Sequence, residues 1–273
     1  MARRHRGLWL GGGIVALVLL LALAGPLAWT ASPYEQSLTL RLQPPAFLGG
    51  DWAHPLGTDH LGRDYLARLL HGARVSLMVG IGAVLASGAF GIGLGLVAGY
   101  LGGRVDAAVM FLVTVRLALP IILVALAVIG LVGATLPVIM AVLGGLLWDR
   151  FAVVTRSLTL QARDRDYVLA ARAVGRSDAG ILLREILPNL AGPVTVVATL
   201  EMANAILLEA ALSFLGLGVQ PPGASWGLMI AEAKDFVFFE PWLINIPGLA
   251  LFALVMGINL LGDGLRDLAG GGR

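Results

Sequence analysis

RDRDYVLAARAVGRSDAGILLREILPN, residues Arg163 to Asn189, carries five arginines between tracts that are apolar and glycine-rich. Its reading decides the fold. Tyr167, Ala170, Ala171 and Val174 recur at i, i+3, i+4 and i+7, which is one face of a helix. Arg165, Arg172 and Arg176 lie on another face. Gly175 is placed for a left-handed C-terminal cap. Ser177 can cap a second short helix, with Asp178 in its first turn, where a carboxylate suits the helix dipole. Pro188 marks the end of that helix or the start of the next element. Two short basic helices with a face of small residues describe a docking element.

The surrounding chain says where this element is mounted. Of 273 residues, 58% are hydrophobic and 13% are charged, about half the share of a soluble domain. The charges are clustered and leave uncharged runs long enough to span a bilayer. Residues Gly7 to Tyr34 form one such run behind Arg3, Arg4 and Arg6. It exceeds the roughly 7–15 residues of a signal-peptide core, so a retained first helix is expected. Val75 to Gly103 is a second run, with Gly91, Gly95 and Gly99 at four-residue spacing, a pattern that lets helix backbones approach closely in lipid. Ala107 to Leu147 is too long for one crossing and is expected to break at Gly130, Gly133 and Pro137. Spans from about 190 to 217 and from about 241 to 261 complete an all-α, polytopic membrane protein with about six transmembrane helices.

Charge fixes the expected topology. A basic N-terminus stays in the cytoplasm by the positive-inside rule. Four crossings then return residues of about 150–188 to that side, and six bring Arg266 and Arg273 there as well, so both termini are expected to be cytoplasmic. The chain divides into residues 1–31, with the first helix; 32–73, an extracytoplasmic segment; and 74–273, the membrane core. Within 32–73, Thr58 is expected to cap an interfacial helix from Asp59 to about His71. The loop Gly216 to Glu240 is read as a second outer segment, solvated and mildly acidic, with Trp226 as an interfacial anchor.

Three ionisable residues fall inside proposed spans: Arg116, Glu201 and Glu209. Each is costly in hydrocarbon unless it faces protein or water, so with Asn204 they are candidates for a translocation path. Arg116, ~18 Å along its helix from Arg104, is expected to pair with Glu201 or to be balanced by water in a central pathway. His60, Asp64 and His71 lie near one another in sequence, but too few ligands converge for a metal site. A zero cysteine count excludes disulfides and thiolate ligation within this chain. A helix-turn-helix reading of the arginine island fails because membrane helices tether both its ends, so no nucleic acid is expected. A scaffold that docks a cytoplasmic partner without transporting anything remains the reading from another class.

The segment AARAVG followed by ILP resembles the cytoplasmic loop of ATP-binding-cassette importer permeases. HPLGTDHLGRDYLARLLHGARVSL (His54 to Leu77), GYLGGRVD (Gly99 to Asp106), ALSFLGLGVQPP (Ala211 to Pro222) and NLLGDGLRD (Asn259 to Asp267) are similar to the second, C-type permease of dipeptide, oligopeptide and nickel importers. The resemblance implies a type I importer permease fold in a bacterial inner membrane. It implies a coupling helix with Ala170, Ala171 and Gly175 at the motif's positions and Leu187 and Pro188 at its end; Tyr167, Arg172 and Val174 from the helix-face reading complete the coupling surface, and the motif's glutamate position is Leu169 here. It also implies a second, distinct permease subunit, two ATP-binding subunits and an extracytoplasmic binding protein as partners. No GxxxxGK[ST] loop occurs in this chain, so ATP and magnesium are expected in the partner subunits and no cofactor in this one. Di- or oligopeptides are the expected substrate, with nickel or another small solute as the alternative.

Overall fold

A computed structural model describes residues 6–270. Arg3, Arg4 and Arg273 lie outside the described residues. Eleven α-helices occur among the described residues: α1 (Arg6–Ala28), α2 (Tyr65–Leu101), α3 (Gly103–Ala118), α4 (Ile121–Val132), α5 (Leu136–Leu146), α6 (Trp148–Ala162), α7 (Asp166–Ala173), α8 (Asp178–Ile181), α9 (Leu187–Phe214), α10 (Trp226–Ala233) and α11 (Trp242–Gly270). Five stretches are helical, long and apolar enough to cross a membrane, and a sixth crossing is made if the bent pair α3–α4 counts as one. The arginine island sits at one end of the bundle, between the end of α6 and the start of α9. The start of α1 packs against the end of α11, where Gly264 approaches Leu8. Both described termini therefore lie at the island end.

Two breaks interrupt the 107–147 tract. Gly133, at φ +105, and Pro137 in the first turn of α5 make the expected one. A sharper break, 86° between α3 and α4, was not expected. It follows from Pro120, which lacks an N–H and forces Leu119 out of the helical region, to φ −94 and ψ 127. The expected cytoplasmic stretch 150–188 also contracts. Helix α6 carries Arg150 and Arg156, and the stretches long and apolar enough to cross a membrane run to Ala162 and resume at Asp178, with only α7 between them.

The seam between α2 and α6 explains the glycine spacing. A Cβ on Gly91, Gly95 or Gly99 would stand 2.3, 2.6 or 2.7 Å from the carbonyl oxygen of Trp148, Ala152 or Arg156. Three glycines on α2 thus meet three successive turns of α6 backbone. Beside the seam Arg156 donates two hydrogen bonds to the Asp106 carboxylate, and Arg163 reaches the Gly99 carbonyl at 3.2 Å.

At the far end, the expected interfacial helix is absent. Thr58 does not cap it; its hydroxyl is buried, accepting from the Gln43 N–H at 2.9 Å and donating to the Leu40 carbonyl. Asp64 is the cap, accepting from the Ala67 N–H at 2.7 Å, and one helix continues from Tyr65 to Leu101. Asp64 wins because the 57–64 segment folds into a tight loop held by Asp59, which accepts from the backbone N–H groups of Leu61 and Arg63.

The 216–240 loop is likewise not a solvated one. Trp226 is buried and donates to the Leu69 carbonyl at 2.9 Å, and α10 packs into the core beside Tyr65 and Trp242. Glu232 on α10 meets Arg63 at 3.1 Å and Arg68 at 2.7 Å, while Arg63 also donates to Asp59 at 2.6 Å. Arg68 makes a further pair with Asp59. Both guanidiniums are buried, and two carboxylates balance them. Burial pushes the Asp59 carboxyl up, but Arg68, Arg63 and the two backbone N–H donors outweigh it and hold it below its ordinary value.

Candidate functional site

The break at Leu119–Pro120 opens a cavity of about 420 Å³ between the end of α3, the start of α6 and the middle of α9. Its polar wall is Arg116, Asp149, Arg150, Glu201 and Asn204; its apolar wall includes Leu117, Ile121, Leu207 and Leu208. Local structure dictates the position of each charge. Helix α5 ends at Leu146 with Leu147 as its C-cap, which leaves the Leu146 carbonyl without a helical partner, and Arg116 Nε donates to it at 2.5 Å. Asp149 lies in the first turn of α6, where the helix dipole favours a carboxylate, and stands 3.5 Å from Arg116.

Arg150, one residue on, donates to Glu201 of α9 at 2.9 Å. Asn204 follows one turn later on α9 and stands 3.5 Å from the same Glu201 oxygen. The expected pairing of Arg116 with Glu201 is therefore corrected. Arg116 goes to Asp149 and the Leu146 carbonyl, and Glu201 goes to Arg150. The reason is the break after Arg116, which ends α3 beside the start of α6.

Two positive and two negative groups thus share one cavity within the bundle. Glu201 is 1% exposed, whereas the Arg150 side chain is 59% exposed. Removing Arg150 would strand a buried carboxylate, a change that is strongly destabilising. Glu209 does not join this site. It is buried about two turns further along α9, accepting from the hydroxyls of Ser213 at 2.7 Å and Ser225 at 2.8 Å. Ser225 also caps α10, and Ser213 also accepts from the Val219 N–H. Glu209 braces the chain between α9 and α10.

The island folds as two helices joined by a glycine turn. Gly175 has φ +79, and the Gly175 and Arg176 N–H groups return to the carbonyls of Arg172 at 3.0 Å and Ala171 at 3.1 Å, a Schellman closure. Ser177 accepts from the Gly180 N–H at 3.3 Å as the next cap. Helix α8 then passes through a π turn, Leu182–Ile186, into α9. The wider turn relieves the clash that Pro188 would make in a regular helix.

The face read from the sequence is divided in two. Val168 is buried and Ala171 half-buried against Leu96, Ile181 and Ile186, while Tyr167, Leu169, Ala170 and Val174 stay exposed, Val174 at 83%. Ala171 thus packs inward. Arg172 lies 5.5 Å over the Tyr100 ring and donates to its hydroxyl at 3.0 Å; Tyr100 donates in turn to Asp178 at 2.6 Å. The island is locked by this pair of bonds to the end of α2.

Sequence reasoning missed Asp149 and Arg150, which it placed at the margin of the cytoplasmic segment. It also missed the buried network of Asp59, Arg63, Arg68 and Glu232. Asp59, His60 and Glu232 bring three ligand atoms within 4.8 Å of one another. Both carboxylates already face Arg63 and Arg68, and His60 stacks on Phe236, so a cation there would stand against two guanidiniums.

The comparisons with known proteins cover the same elements. The family described as binding-protein-dependent transport system inner membrane component matches residues 91–270. The N-terminal TM domain of oligopeptide transport permease C matches residues 2–45. The di/tripeptide transport system permease protein DppC of Pseudomonas aeruginosa is 41% identical over 94% of this chain and 86% of its own length. The dipeptide transport system permease protein DppC of Haemophilus influenzae is 37% identical over 97% of this chain and 90% of its own. A putative peptide permease of Brucella suis is 42% identical over 79% of this chain and 72% of its own.

Proposed function

This chain belongs to the family of binding-protein-dependent transport system inner membrane components, and we propose that it passes di- or tripeptides as one of two permeases of an ATP-driven importer. It is an integral membrane transport subunit, built of apolar helices long enough to cross a bilayer. The observation that carries the substrate reading is the cavity at Arg116, Asp149, Arg150 and Glu201. It is net neutral yet strongly charged, as a zwitterionic peptide is, and the relatives that match along nearly the whole chain are named for peptides. Nickel or another metal ion is less well served, because the one three-ligand cluster among the described residues is held by two arginines.

The partners follow from the same reading: a second, distinct permease subunit, two ATP-binding subunits that hold ATP and magnesium, and an extracytoplasmic binding protein. The island end, with its arginines and both described termini, faces the cytoplasm. Tyr167, Ala170 and Val174 present an exposed small-and-apolar surface for an ATP-binding subunit, with Arg172 and Gly175 shaping it. Closure of the ATP-binding pair shifts the bundle between its two open states by binding one of them better.

The test is to tag the chain, extract it gently, identify what co-purifies, and measure ATP-dependent uptake of a labelled dipeptide into vesicles. Ala170→Asp, which charges the exposed face, is expected to weaken ATP-binding subunit recovery tenfold or more. Uptake should fall with it while the fold stays intact. A folded chain that recovers no ATP-binding subunit would overturn the transporter reading and leave a non-transporting scaffold.

A further inference from the structure

A second cavity, of about 330 Å³, lies against the first and is lined by Leu117, Asp149, Arg150, Val153, Val154 and Leu200 among others, with Glu201. The two cavities share Leu117, Asp149, Arg150 and Glu201. The first continues along α9 through Leu207, Leu208 and Ala211, away from the island. The second continues along α6 through Val153 and Val154, toward it. The 2.9 Å Arg150–Glu201 pair therefore stands where a charged far cavity meets a largely apolar island-side cavity, and the two together make one passage interrupted by the pair.

We propose that the Arg150–Glu201 pair is the partition of this passage and that a zwitterionic peptide crosses it by exchange. The peptide carboxylate replaces Glu201 on the Arg150 guanidinium, and the peptide ammonium replaces Arg150 on Glu201. The exchange rests on the peptide reading above; the partition does not. The asymmetry of the pair dictates how it opens. Glu201 is enclosed and cannot be left without a cation, because an uncompensated buried carboxylate is costly. Arg150 is more than half exposed, and its planar fork suits a carboxylate, so it is the mobile partner. Asn204, beside the same Glu201 oxygen, offers an amide that holds the carboxylate in place through the exchange. A solute with a blocked amino end would leave Glu201 bare and is rejected at this point.

The chain has no cysteine, so an introduced one is its sole thiol. Leu207→Cys reports the far cavity and Val154→Cys the island cavity. Each is made in the assembled complex without ATP and exposed, from the island side of sealed vesicles, to a membrane-impermeant maleimide. Val154→Cys is expected to label readily and Leu207→Cys at least tenfold more slowly. Adding Glu201→Gln should speed Leu207→Cys labelling about tenfold or more. Swapping the charges, Arg150→Glu with Glu201→Arg, should restore protection and show that the chain still folds. Leu207→Cys labelling as fast as Val154→Cys in the native pair, or unmoved by Glu201→Gln, overturns the partition.

Dialanine should speed Leu207→Cys labelling severalfold, and N-acetyl-dialanine amide should not. Equal effects of the two overturn the exchange. The labelling requires no uptake, so a complex that transports no peptide would refute the substrate reading and leave the partition separately measured.

Discussion

Gly95 and Gly93 lie two residues apart on α2 and should respond with opposite sign to the same substitution. A Cβ on Gly95 would stand 2.6 Å from the Ala152 carbonyl oxygen, 2.8 Å from Thr155 Cβ and 3.0 Å from the Arg156 nitrogen. None of these is the end of a flexible side chain. Ordinary contact begins near 3.4 Å, so α2 and α6 must part by about 0.8 Å, the difference between 3.4 and 2.6 Å. Overpacking of this kind costs roughly 1–3 kcal/mol. It also moves α6, which carries Arg150 and leads into the island. At Gly93 a Cβ meets nothing within 4 Å, and replacing a helical glycine by alanine gains about 0.5–1 kcal/mol. In detergent, Gly95→Ala should lower the melting temperature by about 2–12 °C, at roughly 2–4 °C per kcal/mol, while Gly93→Ala leaves it level or raises it. Gly95→Ala should also reduce transport more than Gly93→Ala. Equal shifts for the two variants would refute the seam.

At the far end, Asp59→Asn leaves Arg63 and Arg68 facing Glu232 alone and should cost about 3–5 kcal/mol in thermal unfolding. The pH dependence has a definite sign. The folded carboxyl is held below its ordinary 3.8, so the stabilisation is fully present above that value and is lost as pH falls below it. The native chain should lose melting temperature on acidification below about pH 4, and Asp59→Asn should lose less. Tyr100→Phe removes the bonds to Asp178 and from Arg172 that tie the island to α2, each about 1 kcal/mol. The complex should still assemble, but dipeptide taken up per ATP hydrolysed should fall severalfold; an unchanged ratio would show that the tie carries no coupling. Because the glycine seam joins α2 to α6, spin labels on Phe90→Cys and Val153→Cys should keep their separation within ~1 Å when ATP is trapped. Labels on Val153→Cys and Leu200→Cys should shift by ~2 Å or more, since the α6–α9 contact holds the exchangeable pair; the reverse pattern would refute a rigid α2–α6 unit.

What was legible in the sequence is what depends on one helix at a time. The apolar runs gave the crossings, the GxxxG spacing gave the seam face, and Gly175 with Ser177 gave the turn inside the island. Pro120 was legible in principle, since a proline in an apolar tract ends or kinks a helix at the residue before it, and that kink is what opens the cavity. The misses share a different cause. Charges were taken to mark where a span ends, which placed Asp149, Arg150 and Arg156 outside the bundle. Each lies instead on α6, because each meets an opposite charge from another element: Arg116, Glu201 and Asp106. Compensation of this kind is a property of helix pairs, and a hydropathy reading, which adds residues along one chain, has no place for it. The same holds at the far end, where Arg63 and Arg68 look like surface charges until Glu232, far along the chain, is folded against them. Charge clusters on an apolar chain are thus better read as halves of pairs than as boundaries. The half that has no partner within its own helix, as with Glu201, is the one that points to the site.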